Sequence, residues 1–407
     1  MGSSAADGRC RRRVRSYSDR FSFVICGIFL QPVVIPEMSA GTPARMRRST
    51  VQQLYVNVAR SQLLNGESRQ MNDNTTAPSA ETMSMAGPLA AKCHAGAARP
   101  VRLAWNFAYG IIFYHLVALL SLVPWFFSWT GVILAVLSLY VFGIFGINIG
   151  YHRLLTHKGF ACPKWLERTF VVLGVCCLQG SPIRWVAVHR RHHQYADEEN
   201  DPHSPLVSFF WAHVGWAMVK MDRPEDSQLY ERYSKDLMRD KFYAWIDSRW
   251  WWCKLVFMTW GIFFLGGAIA ELLLGGTMAE AIRFGFSLLV WGVFVRTVVH
   301  WHATWAVNSV THLWGYRNYD TPDNSRNNII LGLLANGEGW HNNHHADPRS
   351  APHGHKSWEL DVTWLTIRFL MWIGLATNVA VPGPQLATMV ASGSPSPDRH
   401  RADSLSE

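Results

Sequence analysis

Between Leu103 and Gly150 there is no aspartate, glutamate, lysine or arginine. A soluble domain needs a charged face over such a length, so the stretch excludes one and leaves room for two membrane spans of roughly 20 residues each. Cysteine is sparse too: seven in 407 residues, at positions 10, 26, 93, 162, 176, 177 and 253, with no CxxC spacing. That excludes a disulfide framework and a thiolate metal site, and leaves small reduced hydrophobes. Charged residues make up 16% of the chain against 49% hydrophobic and 13% aromatic, which points to membrane embedding. The net charge of +9 is not concentrated in one basic patch interleaved with aromatics. Nucleic acid is therefore excluded as a partner, and phosphate headgroups or an anionic carrier fit the basic residues better.

Residues 1–100 are rich in Arg, Ser, Ala, Gly and Met and show no sustained hydrophobic period, so they read as a disordered or low-complexity leader. Within it, "FSFVICGIFLQPVVIP" (21–36) follows "RRRVR" in the manner of a signal peptide. We read it instead as part of an extended leader, or of a start assigned upstream of Met38, Met46, Met71, Met83 or Met85. Residues 101–381 form the membrane domain and 382–407 a disordered tail.

The apolar stretch breaks at "PWFFSWTG" (124–131), where Pro, Gly and tryptophans suit a tight turn at the interface. Two further apolar runs, about 251–274 and 284–306, are joined by "GGTMAE". The expected fold is all-α and integral to the membrane, with four transmembrane helices in two hairpins. Each hairpin returns to its starting side, so His152 and His312 emerge on one face. The interval 151–250 carries fourteen Lys or Arg and the two hairpin turns none, which makes that face cytoplasmic. "LERTFVVLGVCCLQGSPIRW" (166–185) and "VTWLTIRFLMWIGLA" (362–376) are too short to span and read as helices at the interface.

Nine of the eighteen histidines fall in four places: "HRLLTH" (His152, His157), "HRRHH" (His189, His192, His193), "NSVTH" (His312) and "HNNHH" (His341, His344, His345). H-x-x-H-H puts imidazoles at i, i+3 and i+4, on one helical face. Asn308 stands one turn before His312. His152 and His157 lie about 140° apart on a straight α-helix, so the helix is expected to end near Leu155 with His157 reaching back from a bend. Nine imidazoles exceed the four to six ligands of one first-row ion, so two metals are the economical reading, with Fe, Zn, Cu or Ni all compatible. At the mouth of an apolar bundle, oxygen activation for attack on an unactivated C–H bond suits such a pair.

"GYHRLLTHKGF", "HRRHHQYADEENDPHSP", "ATWAVNSVTHLWGYRNYDT" and "GEGWHNNHHADPRSA" resemble the membrane fatty acid desaturases, most closely the stearoyl-CoA desaturase-like Δ9 acyl desaturases. The likeness runs from about Leu103 to Ala376. It implies two iron ions held by His152, His157, His189, His192, His193, His312, His341, His344 and His345, with Asn308 reaching one iron through water. It also implies an acyl chain in a bent tunnel, with Gln179, Trp185, Thr304 and Trp305 at the kink. The implied reaction inserts a cis double bond, Δ9 by family, into a saturated C16–C18 acyl-CoA (or acyl-ACP or acyl-lipid), consuming O2. No H-P-G-G haem segment and no CxxC pair occur, so electrons are expected from a separate donor: a ferredoxin, cytochrome b5 or a reductase.

Arg296, inside the fourth apolar run, is expected either to pair with an acid such as Glu271 or to line the tunnel. Asp201, Glu338 and Asp347, each near a histidine box, are expected to accept from ligand imidazoles. Arg184, Arg190, Arg191 and Lys158 could meet carrier phosphates. With no retrieval tail, a bacterial inner membrane is the expected location. A di-iron lipid hydroxylase, or a metal-binding membrane protein without catalysis, are the alternatives. The second would string ionisable residues across the bilayer, whereas here they crowd one end.

Overall fold

The computed structural model describes residues 103–219, 224–247 and 249–383. The 1–100 leader with its 21–36 stretch, and all but the first two residues of the 382–407 tail, lie outside the described residues. Among the described residues every regular element is helical, joined by a few isolated β-bridges.

Four helices are long and apolar enough to cross a membrane: Trp105–Leu122, Trp129–Thr156, Cys253–Leu273 and Met278–Val310. Helix α1 (Trp105–Ala118) runs into a 3-10 turn, Leu119–Leu122. Pro124 then opens a short turn, and Ser128 starts α2 (Trp129–Thr156) by accepting from Gly131 N–H at 3.0 Å. Helix α9 (Arg249–Leu273) and α10 (Met278–Val310) pack antiparallel. Gly285 permits the approach, since a Cβ there would stand 2.6 Å from Phe264 O. Ile112, Leu116, Met258, Ile262, Leu265 and Ile269 are exposed along α1 and α9, an apolar surface of the kind lipid covers.

The fourth run begins earlier and ends later than the 284–306 read from hydropathy. Thr277 and Glu280 form a reciprocal capping box that starts α10 at Met278, while Arg283 donates to Trp125 O at 3.0 Å. Charges in the first two turns of a span escape a hydropathy window. The 166–185 segment is likewise two elements. Helix α3 (Lys164–Val175) stops, Leu178 and Gly180 take φ +59° and +99°, and Ser181 caps α4 (Pro182–Tyr195). Helix α3 lies against α2 at a crossing of two glycines, where a Cβ on Gly146 would stand 2.5 Å from Gly174 N.

The remaining helices are short: α5 (Phe209–His213), α6 (Pro224–Tyr233), α7 (Lys235–Met238), α8 (Lys241–Ile246), α11 (Ile329–Leu334), α12 (His341–Ala346) and α13 (Val362–Trp372). Helix α13, at 11 residues, is too short to span.

Helix α2 ends at Thr156, one residue past the expected Leu155, with His157 as its C-terminal cap and Lys158 turning the chain at φ +55°. From Leu139 to Thr156, α2 is π-wound, with hydrogen bonds five residues apart, and His157 N–H meets His152 O at 3.2 Å. In that winding, residues five apart share a face. His152 in the last turns and His157 at the cap therefore present their rings together, with centroids 4.9 Å apart.

Candidate metal centre

Helices α2, α4, α10 and α12 bring the nine histidines into two groups. One holds His152, His157, His189, His193 and His344; the other holds His192, His312, His341 and His345, the donor atoms of each group lying within 4.8 Å of one another. The i, i+3, i+4 spacing does not deliver each box to one point. His192 on α4 turns to the second group, and on α12 His344 joins the first while its neighbours join the second. Rings from adjacent positions diverge by about 100° on a helix, so each box serves both groups.

In the first group His152 Nε2 lies 3.0 Å from His344 Nε2, His189 Nε2 lies 3.1 Å from His157 Nε2, and His344 Nε2 lies 2.9 Å from His193 Nε2. In the second, His341 Nε2 and His312 Nε2 are 3.0 Å apart. Two imidazole nitrogens each roughly 2.1 Å from one ion, at right angles, are separated by about 3 Å. The buried Nε2 atoms of His192 and His345 have no hydrogen-bond partner. Buried polar atoms are ordinarily paired, so donors facing inward unpaired fit a metal better than a protein hydrogen-bond network.

Carboxylates hold the opposite edges of four rings. His152 Nδ1 meets Glu338 Oε2 at 2.5 Å, His192 Nδ1 meets Asp201 Oδ1 at 3.0 Å, His312 Nδ1 meets Asp197 Oδ2 at 3.0 Å and His345 Nδ1 meets Asp323 Oδ2 at 2.8 Å. Each accepts the Nδ1–H and leaves Nε2 free to ligate. Asp201 and Glu338 are where sequence proximity placed them. Asp197 and Asp323 were missed, because Asp323 is 22 residues from its histidine and Asp197 is 115. Asp347 closes α12, its N–H on Asn343 O at 3.1 Å, on the side of Tyr319 and His355.

Burial sets the charge states. It pushes His157, His189, His193, His341 and His344 well below the ordinary imidazole range, and the surrounding imidazoles push further. These rings are neutral, the form that binds metal. Burial also opposes charge on Asp201, Asp323 and Glu338, yet His192, His345 and Arg153 respectively hold each below the usual carboxylate range. Two further buried histidines border the groups. His353 lies 4.4 Å from the His344 ring and His203 4.3 Å from the His192 ring, each sharing a carboxylate with a member of a group.

The asparagines of "HNNHH" point away from the donors. Asn342 Oδ1 accepts from the N–H of Asn318 and of Tyr319, both at 2.8 Å. Asn343 donates to His353 O at 2.8 Å and Glu359 Oε2 at 2.7 Å, and accepts from Asn318 and Asn327, both at 2.8 Å. They anchor α12 to the loops on either side.

A cavity of about 190 Å³ lies between α1, α4 and α10, with His189, His203 and Asn308 among its lining residues. Gln179, Trp185, Thr304 and Trp305 all line it. Trp185 Nε1 donates to Gln179 Oε1 at 3.2 Å, and Gln179 Nε2 donates to Thr304 Oγ1 at 2.9 Å, so three elements are tied together at its wall. Trp185 also stacks on His189 at 4.9 Å. Arg296 is not on the wall: it is buried, 1% exposed, and bonded to backbone carbonyls. The ion pair expected with Glu271 does not form, for Glu271 folds against Gly276 at the far end of α9. Arg190 binds Asp236, as does Lys158; Arg191 donates to Asn200 O; Arg184 lies over the Phe107 ring at 4.7 Å on the cavity wall.

A family model for fatty acid desaturases matches residues 127–361. The chain is also 42% identical over 278 residues to the sn-2 palmitoyl-lipid 9-desaturase of Nostoc sp. (strain 36), covering 68% of this chain and 90% of that protein. The chain belongs to the fatty acid desaturase family. This desaturase is 41% identical over 281 residues to the sn-1 stearoyl-lipid 9-desaturase of Synechocystis sp. (strain ATCC 27184 / PCC 6803 / Kazusa), covering 69% and 81% of the two chains. It is 40% identical over 259 residues to an acyl-CoA 5-desaturase of Anemone leveillei, covering 64% and 74%. It is an oxidoreductase that desaturates acyl chains, with apolar helices fit to span a membrane and histidine clusters fit to bind metal.

Proposed function

We propose that this desaturase inserts a cis double bond at the Δ9 position of a saturated C16–C18 acyl chain carried on a membrane glycerolipid. The observation that carries the reading is the cavity between α1, α4 and α10, which His189 of the first histidine group lines together with Asn308. A chain lying in it passes the donors at the Trp185, Gln179 and Thr304 wall, and that wall determines which carbons face them.

The sequence pointed to acyl-CoA as the carrier. A glycerolipid suits the cavity better, because among the described residues Arg184 is the one lysine or arginine on its wall, and CoA brings several phosphates. The two cyanobacterial relatives are likewise named for lipid-bound substrates. The residues fit two irons, one held by the five imidazoles and one by the four. Such a pair supplies the activation of O2 that an unactivated C–H bond demands. The chain's own residues do the rest. Glu338, Asp201, Asp197 and Asp323 keep imidazole donors aimed inward, Asn308 positions water one turn before His312, and the apolar wall excludes bulk water. Both hairpins return to the cytoplasmic side of a bacterial inner membrane, where a separate electron donor docks.

The test is the fatty acid profile of each lipid class in a host requiring unsaturated fatty acids, expressing the chain or its His341→Ala variant. New cis-Δ9 chains in glycerolipids from the parent alone support the reading. Desaturation of supplied acyl-CoA with untouched glycerolipid overturns the carrier, and hydroxylated chains overturn the reaction.

A further inference from the structure

Arg296 sits inside α10, roughly 24 Å of helix before His312, and no acid pairs with it among the described residues. A cation in an apolar bundle needs compensation. Here it comes from the end of another helix. Arg296 Nη1 donates to Cys176 O at 3.2 Å, Nε donates to Gly292 O of its own helix at 3.3 Å, and the guanidinium lies 4.4 Å over the Phe142 ring. Cys176 is the C-terminal cap of α3, where unpaired carbonyls gather partial negative charge. A guanidinium can spread its charge over two carbonyls and a ring face at once, which an ammonium cannot.

The contact is the first of three along α10. Arg296 holds the carbonyl of Cys176; Trp301 Nε1 holds the carbonyl of Cys177 at 2.8 Å; Thr304 holds the side chain of Gln179 at 2.9 Å. The turn they grip is conformationally costly, since Leu178 takes φ +59° without being glycine. Leu178, Gln179 and Gly180 in that turn are cavity wall, and Gln179 is tied through Trp185 to His189.

We propose that Arg296 is a positioning residue: by capping α3 it fixes the Leu178–Gln179 wall against the histidine groups, and so sets which carbon–carbon bond of the acyl chain is desaturated. The inference rests on the acyl chain occupying this cavity. It assigns the intramembrane charge neither to ion pairing nor to substrate contact, but to the register between wall and donors.

The experiment compares the full-length parent with Arg296→Met, Arg296→Lys and Trp301→Phe in membranes. Double-bond position is read by mass spectrometry of the product chains, and labelling of Cys176 and Cys177 by a membrane-permeant maleimide is followed residue by residue. Because an ångström of displacement shifts reaction geometry by orders of magnitude, Arg296→Met should raise the share of displaced isomers at least about tenfold and label Cys177 faster by a similar factor. Trp301→Phe should do both more weakly. An unchanged single isomer from an Arg296→Met chain present at parental level overturns the proposal. If that variant fails to accumulate, Arg296→Lys decides by the same isomer readout. A parent that makes no unsaturated product refutes the function proposed above instead, and Cys177 labelling then still judges the clamp: no acceleration in the variants sinks it.

Discussion

Arg153 Nη2 lies 2.9 Å from Glu338 Oε1, and Glu338 turns its other oxygen to His152 Nδ1. The same guanidinium meets Asp361 Oδ2 at 2.9 Å, and Asp361 caps α13 by accepting from Trp364 N–H at 2.8 Å. One buried arginine thus joins a donor ring, the carboxylate that orients it and the helix behind.

Glu338→Gln keeps the shape but weakens the hold on His152. Metal affinity at the five-imidazole group should fall by about 10–100-fold, leaving the four-imidazole group loaded. Metal per chain after dialysis against graded chelator reads this directly. Arg153→Met is harsher, because it strands two buried carboxylates at a cost of about 3–5 kcal/mol, and the variant should fail to accumulate in membranes.

Asp323→Asn tests the other group. Asp323 accepts from His345 Nδ1 at 2.8 Å and also takes Ser325 N–H at 2.9 Å. The expected outcome mirrors the first: metal is lost from the His192, His312, His341 and His345 group by a factor of about 10–100 while the other is retained. Loss of both metals together would show that the groups fold as one unit.

Asn343 separates anchoring from ligation. Asn343→Ala removes the partner of Asn327 Nδ2 and of His353 O, both buried, and should destabilise the metal-free protein by about 2–4 kcal/mol. Thermal unfolding in detergent would show it as a lower midpoint. A variant equally stable without metal would place Asn343 in ligation instead.

The metal-free protein should lose stability on mild acidification. His157, His189, His193, His341 and His344 have folded values pushed well below the ordinary range by burial and then by their neighbours. Below about pH 6.5 the unfolded chain binds protons that the folded chain refuses, so the stability present above that pH is lost as pH falls toward the depressed values. Midpoints of thermal unfolding measured from pH 8 to pH 5 should drop, before the ordinary carboxylate range near about 4 is reached. A flat profile over that window would show that the rings are already charged or exposed.

Much of this molecule is set locally. Absence of charge over 103–150 dictates burial in lipid because nothing else compensates such a surface, and the histidine boxes mark themselves by spacing along single helices. The five-residue step from His152 to His157 marked the helix end but not the winding, since a straight α-helix was assumed where the backbone is π-wound. That winding leaves no trace in composition. The pairing of Asp197 with His312 across 115 residues and the carbonyl cap that Arg296 places on α3 are decisions of tertiary structure. Each depends on groups far apart in the chain, or on backbone atoms that every residue carries alike, so only the folded arrangement selects them.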